Sequence, residues 1–332
     1  MRSRWFEVVS ILTLLAAGCA AQRPPVYQRS PDRTSAEARA LVFLSREVPR
    51  WYPENQCFSC HNNGDAARAL YVASELGYSV PTNALADTTA WLQTPDRWDQ
   101  NKGDPAYSDK RLATVQFTAA LATAIETRHV SNTSALLAAA RRLKIEQHSD
   151  GAWHIEPTRA LGSPATYGTP LATALAARAL AGVPDKLAAA DAQRAMRWLH
   201  RSSVDNVLGA AAVLMGLRGE SDSQLGAKKQ ECLDFLRRSQ TRDGGWGAFP
   251  DSPPEAFDTA IALLALAETP SEPGVDALIR RGRDYLEGTQ LADGSWPETT
   301  RPPGGESYAQ RISTTAWATL ALLRTVPVRR GL

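Results

Sequence analysis

Gln240-Thr241-Arg242-Asp243-Gly244-Gly245-Trp246 occurs in three forms along the chain. Gln147-His148-Ser149-Asp150-Gly151-Ala152-Trp153 and Gln290-Leu291-Ala292-Asp293-Gly294-Ser295-Trp296 keep the same Gln-x-x-Asp-Gly-x-Trp spacing. A repeat of this kind fixes the architecture before any single element is considered. A leucine stands four residues before each Gln (Leu143, Leu236 and Leu286), so a helix leads in. Asp-Gly ends that helix, since Gly adopts the left-handed conformation and Asp tolerates turns. The Trp offers a large apolar body with one N–H to satisfy, suited to wedging helices together. A loop and a second, Ala/Leu-rich helix follow each copy, and the starts of these helices align as Thr169-Pro170-Leu171-Ala172, Thr259-Ala260-Ile261-Ala262 and Thr315-Ala316-Trp317-Ala318.

Working outward, the chain divides into six helix pairs, at about 37–76, 84–126, 134–182, 187–218, 228–268 and 276–325. The second pair carries a worn signature, Gln93-Thr94-Pro95-Asp96-Arg97-Trp98, without the Gly, and the fourth joins its helices through Ser202-Ser203-Val204-Asp205. Strand signals are poor, so the fold class is all-α. Six pairs can close as an α6/α6 toroid over residues 37–326, leaving no terminal repeat to cap; an open superhelix is the alternative. The 332 residues are 43% hydrophobic and 22% charged, with a net charge of +2. That composition is globular, and it gives no basic field for nucleic acid.

Residues 1–19 read as an export leader. Arg2 and Arg4 precede an apolar run, Val8 to Ala17, too short to span a membrane. Leu15-Ala16-Ala17-Gly18-Cys19 resembles a bacterial lipobox, and the resemblance implies lipidation of Cys19 and cleavage before it. Ala20, in place of Asp, suits the outer membrane of a diderm cell. Residues 20–36, with Pro24, Pro25 and Pro31, form a tether, and residues 327–332 a short tail. The expected location is the cell envelope, on the periplasmic side, with the lipid as the link to the membrane.

The Gln-x-x-Asp-Gly-x-Trp copies and the following Thr-Ala helices resemble the repeats of the squalene–hopene cyclase and protein prenyltransferase superfamily. That resemblance implies the toroid, an apolar central cavity and isoprenoid ligands within it. Hopene-type cyclases carry Asp-x-Asp-Asp-Thr-Ala at the start of an inner helix, and the middle Asp protonates the alkene. The matching stretch here is Glu255-Ala256-Phe257-Asp258-Thr259-Ala260, with Phe257 at the donor position. A phenyl ring donates no proton, so cyclisation by that route is not expected, and Asp258 reads as a helix N-cap. The prenyltransferases' zinc site of Asp, Cys and His has no match around Cys232, where Glu231 and Asp234 lack the spacing. Cys232 therefore reads as a small buried hydrophobe.

The first pair alone contains Cys57-Phe58-Ser59-Cys60-His61. Cys-x-x-Cys-His is the pattern of covalent c-type haem: two thiols three residues apart reach two vinyl groups, and the next His ligates the iron. Alignment of Asp65-Ala66 with Asp258-Thr259 places the motif on the loop entering an inner helix, at the mouth of the ring. Haem c bound by Cys57, Cys60 and His61, with His61 as axial iron ligand, is the leading expectation. A Cys57–Cys60 disulfide and a metal site or free thiols remain open. Met196, Met215, His129, His148, His154 and His200 are candidates for the other haem face, and His129 is the best placed in sequence. Trp51, Tyr52 and Phe58 either cover the haem or pack. Glu156, Asp251, Glu255 and Glu306 are loop carboxylates in which no spacing picks out a glycosidase pair.

The resulting expectation is an envelope protein for redox or small-molecule binding, with a redox partner or an apolar molecule in the central cavity. The alternatives are an isoprenoid-acting enzyme with an unidentified acid, and a non-catalytic scaffold with the disulfide.

Overall fold

The computed structural model of the protein describes residues 35–103, 109–155, 161–217, 223–299, 301 and 307–326. The leader with Cys19, the tether through residue 34, the tail, Glu156 and Glu306 lie outside them.

Twelve α-helices run in order among the described residues, in six pairs: α1 (Ala36–Asn55) and α2 (Ala67–Glu75), α3 (Ala86–Leu92) and α4 (Lys110–Glu126), α5 (Ser134–Glu146) and α6 (Gly168–Ala181), α7 (Lys186–Arg201) and α8 (Val207–Gly216), α9 (Ser223–Ser239) and α10 (Ala256–Ala267), α11 (Val275–Thr289) and α12 (Tyr308–Arg324). The odd helices are outer and the even ones inner, and the side chains show why. In α7 the buried positions Ala188, Ala192, Ala195 and Leu199 form one stripe at helical spacing, as in a helix with one wet face. In α8 every residue from Val207 to Leu214 is buried. Such a helix has no solvent face and must lie inside.

The inner helices close on themselves. Each packs on the next, α2 on α4 and so on to α10 on α12, and α12 returns to α2. The open superhelix is thereby excluded, and the fold is the expected all-α toroid.

The repeat signature builds the joints. Trp153, Trp246 and Trp296 are 1%, 0% and 0% exposed. Each indole Nε1 donates to the carbonyl ten residues earlier, Leu143, Leu236 or Leu286, at 2.8 Å. Each Trp backbone N–H donates to a threonine hydroxyl on the following inner helix: Thr173 at 3.1 Å, Thr259 at 2.9 Å and Thr315 at 3.1 Å. The copy in the third pair thus uses Thr173. The sequence alignment through Thr169 is one helical turn too early, because Pro170 and Gly168 allow the helix to begin before its docking residue.

The glutamines face outward to the next pair. Gln147, Gln240 and Gln290 each donate to the turn glycine's carbonyl and to a carbonyl of the following outer helix, Asp191, Leu278 or Ala36. Each also accepts from an arginine there, Arg194, Arg281 or Arg39. Gly151, Gly244 and Gly294 have φ of 104°, 90° and 89°, and a Cβ on any of them would strike that arginine's carbonyl oxygen. Only Gly satisfies both demands. The bonds of Gln290 to Ala36 and Arg39 join the sixth pair to the first. Arg283 reinforces that seam, meeting the buried Glu37 at 2.8 Å and the Leu322 carbonyl at 2.6 Å.

Trp246→Ala should cost ~3–5 kcal/mol in urea unfolding, since it removes a buried indole and the bond from its Nε1 to the Leu236 carbonyl. A loss below ~1 kcal/mol is incompatible with this joint.

Candidate functional site at the ring mouth and in the lumen

The Cys-x-x-Cys-His stretch opens a π-helix, Cys60–Ala66, that runs directly into α2. Ser59 caps it, its Oγ accepting from the His61 and Asn62 backbone N–H groups. Asn101 clamps the preceding loop from the second pair: Phe58 N donates to its Oδ1 at 2.9 Å, and its Nδ2 donates to the Phe58 carbonyl at 2.8 Å. Phe58 itself stacks between Tyr52 and Trp91, with ring centroids 4.4 and 4.5 Å away. Tyr52 and Phe58 thus pack on one another, and Phe58 also lines the pocket at the Cys motif.

Cys57, Cys60 and His61 share the lining of one pocket of about 530 Å³ with Trp51, Trp98 and Phe117, and with the cations Lys102, Lys110 and Arg142. Cys57 and Cys60 are both free thiols in this structure. Burial, with the Asp65 carboxylate adding to it, pushes the Cys60 thiol up to about 12. At neutral pH the Cys60 thiol is therefore protonated in the folded protein.

Beneath the pocket lies a buried hub that sequence reasoning missed. Asp65 accepts from Ser313 of α12 at 2.7 Å, from Gln116 of α4 at 3.0 Å and from the Tyr167 hydroxyl. Burial raises its carboxyl to about 6, against the pull of Arg68 and of these donors. Ser313 gives its hydrogen to Asp65, so His61 Nδ1, 2.8 Å from Ser313 Oγ, must be the donor in that contact. Nε2 then holds the free lone pair and has no protein partner among the described residues. Burial lowers His61 to about 4, so the ring is neutral.

Asp258, expected as a helix cap, is held differently. Asp258 lies within α10, and Glu255 occupies the N-cap position. Its two carboxylate oxygens accept from Arg301 at 2.8 and 2.9 Å, and Glu255 meets the same guanidinium at 3.3 Å. The N-cap reading of Asp258 is therefore corrected: a bidentate arginine holds the carboxylate more strongly than backbone N–H groups. Arg301 also donates to the Gly162 carbonyl, and five residues on, Tyr167 reaches Asp65 with φ at 57°. Phe257 is fully buried and meets Trp317 edge-on at 6.3 Å, and Tyr167 does the same at 5.6 Å.

These rings fill the ring's interior at the N-terminal ends of the inner helices. Beyond Trp317 and Arg68, whose guanidinium lies 4.8 Å from the indole centroid, is a lumen of about 260 Å³. All six inner helices contribute, through Val72, Ala119, Leu175, Met215, Leu264 and Leu320. Near the opposite end, where the inner helices finish, stand Glu126, Arg178, Glu268 and Arg324. Arg178 pairs with Glu268 at 3.2 Å. Arg324 has no ion pair among the described residues; burial and the neighbouring Arg178 charge lower its pKa.

The remaining candidates separate from these sites. His129 is exposed, bonds Thr127 at 3.0 Å and packs on Tyr71, away from the Cys pocket. Its short distance in sequence does not survive the turn after α4, so His129 cannot be the second haem ligand. Met215 lines the lumen, and Met196, His148, His154 and His200 are also absent from the Cys pocket's lining. Cys232 is fully buried, with Glu231 and Asp234 paired to Lys228 and Arg237. Asp251 is exposed, and Glu255 is engaged by Arg301.

Residues 159–305 match the squalene-hopene cyclase C-terminal domain family. Among solved structures, a substrate complex of the type II terpene cyclase MstE from Scytonema aligns with a TM-score of 0.58 at 14% identity, over 87% of this chain and 96% of that one. The chain has the fold of the type II terpene cyclases. A protein from Actinoplanes aligns at 0.57 and 19% identity, over 89% and 99% of the two chains. A glycosidase in complex with glucose aligns at 0.52 and 14%, over 88% and 98%. Drimenyl diphosphate synthase from Streptantibioticus cattleyicolor is 30% identical over 237 residues, 64% of this chain and 41% of the synthase. The chain thus spans less than half the length of that curated relative.

The folded protein refuses a proton at His61 that the unfolded chain accepts near 6.5. Its contribution to stability is full above 6.5 and is lost as pH falls toward about 4. Asp65, raised, works in the opposite sense. Allowing for the ring's partial exposure, wild type should lose about 1–2 kcal/mol more than His61→Gln between pH 7 and pH 5 in urea unfolding. Parallel pH dependence in the two proteins contradicts a neutral, buried His61.

Proposed function

We propose that the lumen takes a short isoprenoid chain carrying an anionic head, and that this is the protein's principal ligand class. The observation that carries the reading is the lumen itself. Apolar side chains from six inner helices line it, and near one end Arg178 is paired with Glu268 while Arg324 has no ion pair among the described residues. An anionic head there gives Arg324 a counter-charge. The resemblance to drimenyl diphosphate synthase and to type II terpene cyclases supports the same ligand class. At about 260 Å³ the lumen lies just below the ~300–1,000 Å³ usual for ligand pockets, which favours a short chain. Cyclisation through the fold's aspartate is a poorer fit, because Phe257 stands at the donor position and both oxygens of Asp258, whose carboxyl burial raises to about 6, accept from Arg301. Asp65 is no better a proton donor, since it accepts three hydrogen bonds.

Titration with farnesyl diphosphate and with farnesol should detect binding of both. Leu264→Trp should abolish both by filling the lumen. Arg324→Glu should weaken the diphosphate at least about tenfold and leave farnesol unchanged. Farnesyl diphosphate should be recovered uncyclised. Absence of binding, or binding indifferent to Leu264→Trp, removes this reading.

A second reading is favoured by one specific observation, the neutral His61 ring with Nδ1 fixed and Nε2 bare. The Cys pocket fits a c-type haem in its residue types. Cys57 and Cys60 would form the thioethers, His61 Nε2 would ligate the iron, and Trp98 and Phe117 suit the porphyrin face. Lys102, Lys110 and Arg142 suit its carboxylates. A haem there supplies one-electron redox chemistry. Ser313 and Asp65 keep His61 in the ligating tautomer, a role typical of partners behind metal-bound histidines. Expression through the secretory route with haem-maturation machinery, followed by intact-mass measurement of the membrane fraction, tests this reading together with the envelope location. One covalent haem, absent from Cys57→Ser/Cys60→Ser, and a lipid mass absent from Cys19→Ala are expected. A haem-free wild type or a precursor of unprocessed mass rejects the corresponding part.

A further inference from the structure

We propose that His148, Asp150 and His154 form a surface site for one divalent transition-metal ion of the zinc class. All three come from the turn that follows α5, and one ligand atom from each lies within 4.8 Å of the others. Two imidazoles and a carboxylate are a ligand set that zinc accepts, and three protein ligands leave one tetrahedral position for water or a bound molecule. His154 Nε2 lies 2.9 Å from Asp150 Oδ2, and the two histidine rings are 4.6 Å apart and nearly perpendicular. The ion takes the place of the hydrogen between His154 and Asp150. That proton moves to His154 Nδ1, so both imidazoles bind as neutral ligands.

The turn is rigid without the metal, which makes the ligands preorganised. Asp150 Oδ1 accepts from the Ala152 N–H at 3.0 Å, fixing the carboxylate from behind. His148 N–H donates to the Ala152 carbonyl at 2.9 Å, and Trp153 anchors the loop in the core. The other copies of the same turn serve as internal controls. Thr241 and Leu291 make the same backbone bond to Gly245 and Ser295, so that bond needs no histidine. The positions of His148 and His154 hold Thr241 and Gly247 in one copy, Leu291 and Pro297 in the other. There Asp293 is instead engaged by Ser295 and Arg311. The joint between pairs therefore requires the Gln, Asp, Gly and Trp but neither imidazole. Of the three copies, only the one in the third pair places two of them around its aspartate.

The test is zinc titration of the full chain in a Cys57→Ser/Cys60→Ser background, which removes the other candidate zinc ligands, read by competition with a chromogenic chelator. One equivalent should bind. His148→Ala/His154→Ala should weaken binding at least about a hundredfold, while Asp243→Asn in the fifth pair should leave it unchanged. X-ray absorption of the zinc-loaded protein should show nitrogen and oxygen ligands at about 2.0–2.2 Å, including imidazole scattering. No stoichiometric binding in that background, binding that survives loss of both histidines, or a spectrum without imidazole overturns the site.

Discussion

The ring depends on one side-chain amide used three times. Gln147, Gln240 and Gln290 each hold their own turn closed and grip the next outer helix by a carbonyl and an arginine. The turn glycine lets the two backbones approach, and the tryptophan behind it fixes the turn to the inner helix. Inter-pair spacing is thus set by hydrogen bonds of defined length, with apolar packing filling what they leave. Where the signature is worn, the joint changes. Gln93 donates back to Thr89, and Trp98 Nε1 reaches only seven residues back, to Trp91.

Closing six pairs in this way brings distant segments together at the ring's centre. Asp65, Gln116, Tyr167 and Ser313 come from four different pairs, yet they share one carboxylate. That arrangement blocks one end of the lumen with polar and aromatic groups. It also sets the tautomer of His61 on the far side. The lumen and the Cys pocket are therefore separate spaces coupled by one buried acid. The filled centre explains why a chain with a cyclase fold has a lumen of only about 260 Å³.

The parts of this structure legible in the sequence were those written locally. Gln-x-x-Asp-Gly-x-Trp encodes a turn, a core anchor and a helix start within a few residues, so the pairs and the buried tryptophans could be read directly. Cys57, Cys60 and His61 were legible as a group for the same reason. Asp258 was read as a cap because its partner Arg301 lies on a later loop, with no spacing that announces it. Tyr167 gave no signal at all, since its role comes from a left-handed backbone and a partner 102 residues away. His129 misled because nearness in the chain stood in for nearness across a helix end.

The seam between the sixth pair and the first has a kinetic consequence. Gln290 meets Ala36 across 254 residues, and Arg283 meets Glu37 across 246. During synthesis from the N-terminus, α1 exists for most of that time without the surface against which it finally packs. Its buried acid Glu37 then has no counter-ion, and its apolar face has no cover. Contacts of such high sequence separation form late and slowly. Closure is therefore the last event of folding, and until it occurs the two ends of the growing arc are the surfaces most open to mispairing with another chain.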